Sequence, residues 1–171
     1  MLTWSRFATP FGDGAVVCRK NRLCRVLLPP RTGSKAPARI AKEFPDAAEA
    51  TGRSRDAARQ TARAFEALFN GTPLPANLAD TIEWPATTPF RLAVLQACAR
   101  VPSGSVLSYG ELAAEAGYPG RARAAGTVMA TNELPLVVPC HRIVRSGGHL
   151  GNYGGGTDMK EWLLKAEGAL R

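Results

Sequence analysis

A chain of 171 residues with 45% hydrophobic and 21% charged residues can bury a core, as one ordinary domain or two small ones, which excludes a disordered chain. No apolar run approaches membrane-spanning length, and Met1-Leu2-Thr3-Trp4-Ser5 lacks the apolar core of a signal peptide, so a soluble cytoplasmic protein with no membrane partner is expected. The net charge of +8 permits nucleic-acid binding without establishing it: residues 86–171 carry nine Lys/Arg against six Asp/Glu, and no cationic tail stands out.

Residues 3–28 read as a meander of strands. Gly12-Asp13-Gly14 and Lys20-Asn21-Arg22 are turn signals, and Ala15–Cys18 and Leu23–Leu28 are strand-like runs. Cys18 and Cys24 are symmetric about Asn21, so a hairpin turn there would set them opposite each other as two packed thiols in a reducing cytosol. Residues 31–53 suggest a surface loop with a short helix near Ile40–Phe44. Ser54 is a candidate helix cap, with Asp56 in the first turn. Ala58, Thr61, Ala62, Phe65, Leu68 and Phe69 then recur at helical spacing, and Asn70-Gly71 stops the helix. Residues 76–83 suggest a strand. Trp84-Pro85-Ala86-Thr87 reads as a linker between an α/β domain over 1–85 and a second domain over 86–171.

The second domain opens on a clear helix start, Thr88 as cap with Pro89 at the first helical position. Ser108-Tyr109-Gly110-Glu111 has the capping-box pattern, and Pro119-Gly120 turns the chain into a helix over Arg121 to about Thr131. Two short helices joined by a Gly/Pro turn have the layout of a helix-turn-helix. Ala122, Ala124, Ala125, Gly126, Thr127 and Ala130 are all small, so the second helix suits close approach to a groove or tight packing in a core. Thr157-Asp158 is read as the cap of a last helix with Met159, Trp162, Leu163 and Ala166 on one face.

Chemistry concentrates in Leu134-Pro135-Leu136-Val137-Val138-Pro139-Cys140-His141-Arg142. Pro139 removes a donor and fixes φ, so the apolar run breaks and Cys140 sits on a rigid bend. His141 supplies a base for a thiol that is nucleophilic only as thiolate. A thiol in an apolar run is also what core packing looks like, and adjacency does not turn two side chains towards each other. The residues alone leave both readings open.

Pro139-Cys140-His141-Arg142, preceded by Asn132-Glu133-Leu134-Pro135 and followed by Gly151-Asn152-Tyr153-Gly154-Gly155-Gly156, resembles the O6-alkylguanine-DNA alkyltransferases from about Phe90 to Gly168, with weaker similarity before. The resemblance implies a ribonuclease-H-like α/β first domain and a mainly α second domain with a winged helix-turn-helix. It implies direct-reversal DNA repair: an enzyme that flips O6-alkylguanine, and also O4-alkylthymine, out of duplex DNA and moves the alkyl group irreversibly to Cys140 in a single turnover. Glu167 and His141, with a water, would draw the proton from Cys140. Asn132 would tie the recognition helix to the active-site segment, and Tyr109 would rotate the 3′ phosphate and assist the leaving base. Arg123 would fill the gap in the stack. Ala122, Ala124, Gly126, Thr127 and Ala130 would contact DNA, and Met129, Cys140, Ile143, Tyr153 and Gly154 would form the substrate pocket. The carbonyls of Cys140 and Ile143 and the amide of Gly154 would bond the base. No cofactor and no metal are implied, since the histidine ligands of a zinc found in some relatives have no counterpart here. The partner is lesion-bearing double-stranded DNA near the nucleoid, the protein is expected as a monomer, and cooperative coating of DNA is left open. Two departures stand out: Glu133 where relatives often carry proline, and Gly154 where some carry serine.

Three rivals come from other classes. A non-repairing lesion sensor would lack the cysteine. A Cys-His hydrolase would turn over esters and ignore DNA, and a winged-helix regulator would bind a defined sequence rather than a lesion.

Overall fold

The computed structural model describes residues 1–30, 35–50 and 56–170, which form two compact units, Met1–Glu83 and Trp84–Arg171. In the first unit β1 (Leu2–Thr9), β2 (Gly12–Arg19) and β3 (Arg22–Leu27) make an antiparallel meander. Lys20 and Asn21 both take positive φ, 48° and 63°, the conformation a two-residue hairpin turn needs to match strand twist. The two-residue β4 (Ala48–Glu49) adds parallel to β1, giving the order β3-β2-β1-β4.

Side chains alternate across this sheet, and each face is covered by a helix. Trp4, Ala15, Val17 and Leu27 pack with Ala36 and Ile40 of α1 (Ala36–Glu43). On the other face the Phe7 ring meets Phe65 of α2 (Ala57–Phe69) edge-on, centroids 5.2 Å apart. The cap of α2 is Asp56, whose carboxylate accepts from the Ala58 amide at 2.8 Å. The expected cap, Ser54, lies outside the described residues.

Two expectations fail here. Residues 76–83 do not form a strand: Ala76–Thr81 is a 3-10 helix, and only Ile82 bridges to Leu23. Its compact Ala-Asn-Leu-Ala-Asp-Thr run, entered from Pro75, lacks the β-branched density of a strand. Cys18 does not face Cys24 either. The two-residue turn is centred between Lys20 and Asn21 rather than on Asn21, so Cys18 pairs with Leu23. Cys24 is the extra residue of a bulge before Arg25, and its thiol lies 3.4 Å from the Val17 carbonyl. Both thiols are free.

The second unit is mainly helical: α3 (Pro89–Ala99), α4 (Tyr109–Glu115), α5 (Ala122–Ala130) and α6 (Thr157–Ala166). Thr88 caps α3, and Ser108 and Glu111 close a complete capping box on α4. Gly156, not Thr157 or Asp158, is the N-cap of α6, and it makes no side-chain cap bond. β5 (Leu107–Ser108) and β6 (Ile143–Val144) pair in parallel, which seats the start of α4 beside the segment that follows Cys140. Among the described residues no helix is long and apolar enough to cross a membrane.

Candidate functional site

The second unit carries its chemistry on the run between α5 and β6. After α5 the chain closes a small ring around Asn132. Its Oδ1 accepts from the Leu134 amide at 3.0 Å, its Nδ2 donates to the Val138 carbonyl at 2.9 Å, and the Val138 amide donates to the Leu134 carbonyl. Leu136 sits inside this ring, 1% exposed, with φ of 74°. Pro139 then takes φ −78° and ψ 66° while the Cys140 amide donates to the Val138 carbonyl at 2.7 Å, the geometry of an inverse γ-turn. Cys140 follows as the first residue of the 3-10 turn Cys140–Arg142.

Cys140 lines a cavity of about 400 Å³ with Tyr109, Gly126, Met129, Ala130, Arg145, Asn152, Tyr153 and Gly154. Most of these were expected at the site. Arg145 and Asn152 were not, because neither residue lies on a periodic face nor adds a chemical pattern. Ile143, expected in the pocket, is fully buried and does not line it, since it lies on β6 in register with Leu107 of β5. At Gly155 a Cβ would meet the Met159 thioether and the Tyr153 ring, so a side chain there would have to displace Met159.

Behind the thiol lies a buried ionic group. His141, fully buried, has Nε2 3.0 Å from Oε1 of Glu167, which stands at the C-cap of α6. Arg142 grips the same carboxylate with Nε and Nη2 at 2.9 and 2.8 Å and donates Nη1 to the Val101 carbonyl at 2.6 Å. Burial pushes the Glu167 carboxyl up, but the hydrogen bonds and charges of His141 and Arg142 outweigh it and bring it down to about 2. Burial holds the His141 imidazolium below its ordinary range, opposed by Glu167. His141 is therefore neutral at pH 7. A carboxylate can only accept, so Nε2 carries the hydrogen and Nδ1 is the basic nitrogen. Nδ1 has no hydrogen-bond partner among the described residues. The Cys140 thiol is raised by burial and pulled back by Asn132 and by the charge of Lys160.

Sequence reasoning missed Lys160, which is fully buried on α6. The signal was present: Lys160 falls on the apolar stripe with Leu163 and Leu164, where a lysine is out of place. On α5, by contrast, Ala125, Val128 and Met129 face inward, while Arg123, Thr127 and Ala130 form an exposed stripe at i, i+4 and i+7. Ala122, Ala124 and Gly126 are partly covered. The Arg123 side chain has no polar partner among the described residues. Among those residues no group of three or more His, Cys, Asp or Glu is arranged to hold a metal.

Residues 89–169 match the family described as 6-O-methylguanine DNA methyltransferase, DNA binding domain. A methylated-DNA–protein-cysteine methyltransferase of Salmonella typhimurium is 49% identical over 83 residues, 48% of each chain, so the protein spans about half the length of that relative. A Cricetulus griseus protein of the same name is 38% identical over 144 residues, covering 78% of this chain and 68% of that one. The crystal structure of Mycobacterium tuberculosis OGT in complex with DNA superposes with a TM-score of 0.76 at 26% identity, over 98% of this chain and 93% of that chain. With both the site-bearing unit and most of the chain matched, the protein belongs to the methylated-DNA–protein-cysteine methyltransferase family.

Proposed function

We propose that the protein repairs DNA by moving the alkyl group of O6-alkylguanine, and of O4-alkylthymine, to Cys140, once per chain. The observation that carries this reading is a buried thiol lining a cavity of about 400 Å³, with a neutral, carboxylate-oriented histidine next in sequence. Burial keeps Cys140 protonated at rest, so attack needs a base. In the proposed step Nδ1 of His141 receives that proton through a bridging water, and Glu167 stabilises the imidazolium. The sulfur attacks the alkyl carbon, the carbon–O6 bond breaks, and its electron pair leaves with the base. The Tyr109 hydroxyl donates to that departing base. A thioether offers no leaving group, so Cys140 is not regenerated.

An alkyl group on a stacked base is out of reach of a buried sulfur, so the base must be flipped into the cavity. We read α4 and α5 as a helix-turn-helix with an adjoining wing. The small, exposed face of α5 approaches the minor groove, with contacts from Ala122, Ala124, Gly126, Thr127 and Ala130. Arg123 enters the stack and Tyr109 turns the phosphate. Met129, Tyr153 and Gly154 wall the flipped base, with the Gly154 amide and the Cys140 carbonyl as its polar contacts. The first unit, a sheet with a helix on each face, is read as ribonuclease-H-like, with the division at about residue 85 and the protein acting as a monomer near the nucleoid.

Incubation with an excess of duplex containing O6-methylguanine, followed by peptide mass spectrometry, tests this. One methyl per chain, on Cys140, is expected. Turnover beyond one equivalent, or methyl on Cys18, Cys24 or Cys98, would refute it.

A further inference from the structure

A fully buried ammonium is costly unless something balances it. Lys160 has no carboxylate partner among the described residues, and its one hydrogen bond runs from Nζ to the Ile143 carbonyl at 2.5 Å. That bond fixes where the charge sits. Ile143 follows the turn that carries Cys140, and its own amide donates to the Cys140 carbonyl. The titratable groups that act on Lys160 are Cys140 and Arg145, and Lys160 in turn acts on His141. Arg145 is a cation and His141 is neutral, so the sulfur of Cys140 is the group that can supply a negative charge. Cys98, Tyr109 and Tyr153 interact with Cys140 as well, but each is neutral at pH 7 and held so by burial. Arg142, the other nearby cation, is neutralised by Glu167.

We propose that Lys160 is a positioning residue for the acceptor thiol, a buried cation held by the Ile143 carbonyl so that Cys140 can ionise inside the protein. The proposal rests on the alkyl-transfer reading for its purpose, but its physical content is the coupling of one ammonium to one sulfur. Lys160 takes part in no bond change. The proton of Cys140 leaves through His141, the alkyl–oxygen electron pair leaves with the base, and Lys160 keeps its own proton. The coupling is mutual, as linkage requires: the sulfur raises the Lys160 ammonium, which burial has brought down to about 8, and Lys160 lowers the thiol.

Two arms test it. Alkylation of Cys140 by iodoacetamide, located by peptide mass spectrometry across a pH series, reports thiolate formation without DNA. K160M and K160Q should raise the apparent pKa of Cys140 by about one unit and slow its alkylation at neutral pH about tenfold. K160R, which keeps the charge, should recover part of the rate. Replacing a buried lysine risks the fold, so the second arm uses the native protein. Nitrogen NMR follows the Lys160 ammonium with Cys140 free and after its S-methylation, and a sulfur that can no longer ionise should lower the Lys160 midpoint. An unchanged midpoint, or a Cys140 pH profile identical in folded K160M, would overturn the proposal. Native protein that shows the coupling yet ignores an O6-methylguanine duplex would support Lys160 and refute the repair reading.

Discussion

Glu167 is the residue on which the buried group turns, because one carboxylate receives both His141 and Arg142. Its folded pKa of about 2 lies below the ordinary value of 4.5, so the folded state binds fewer protons than the unfolded one. The resulting stability is complete above about pH 4.5 and is lost as pH falls towards 2. E167Q should flatten that part of the stability curve. At neutral pH it should lower stability by about 2 kcal/mol, the worth of hydrogen bonds to a charged group. It should also slow transfer to Cys140 by roughly a hundredfold, since a neutral amide does not stabilise an imidazolium. Urea denaturation across pH and single-turnover rates check both; a slope as steep in E167Q as in the native protein would place the titration elsewhere. Cys140 and His141 were legible from the residues and Glu167 only through the family resemblance, and the fork of Arg142 was not legible by either route. Residues 25 positions apart meet through tertiary packing that no local pattern encodes. Lys160 was hidden by its own chemistry, since a lysine on a helix is read as surface until its stripe is counted.

At the scale of elements, a cap signal is readable because it acts within three residues of itself. Thr88-Pro89 and Ser108-Glu111 both behave as their spacing predicts, whereas α1 begins at Ala36, ahead of the expected Ile40, and α6 is capped by Gly156 rather than by Thr157-Asp158. Two-residue strands carry too few residues for a period, so β4, β5 and β6 left no trace in the pattern. The second helix of the pair was ambiguous between a groove-reader and a packed core helix. The exposure of Arg123, Thr127 and Ala130 now favours a face turned outward. If Arg123 fills the place of an extruded base, it offsets part of the few kcal/mol of lost stacking. At about 1.4 kcal/mol per tenfold, R123A should slow repair of duplex by roughly ten- to a hundredfold and leave the reaction with free O6-benzylguanine unchanged. Equal loss on both substrates in a folded variant would rule out insertion.

For the whole molecule the four thiols are a natural control on one another. Burial pushes Cys18 up to about 12, with no cation among the groups that act on it, and pushes Cys98 well above its ordinary value, where the one cation acting on it, Arg142, is already paired with Glu167. Cys24 is raised as well. The expected selectivity for Cys140 therefore does not follow exposure, since Cys140 is buried while Cys24 is partly exposed. Charge is also divided unevenly along the chain. The site-bearing residues 86–171 hold a net of only +3 out of +8, so under the proposed repair function a shaped, small-residue face rather than a dense cationic patch would position the duplex. Composition alone could state that the protein was basic; it could not show that most of the excess lies away from the chemistry.

The left-handed turn at Leu136 bears on which substitutions the chain tolerates. Leucine at φ 74° carries about 1–2 kcal/mol of backbone strain, held in place by a side chain that is almost fully buried. Truncation to alanine would lose the packing, about 2–5 kcal/mol, and keep the strain. Truncation to glycine would lose the same packing and release the strain. The usual ranking of the two small residues should thus invert here, with L136G more stable than L136A by about 1 kcal/mol in chemical denaturation. The opposite order would mean that the ring closed by Asn132 relaxes when the side chain goes.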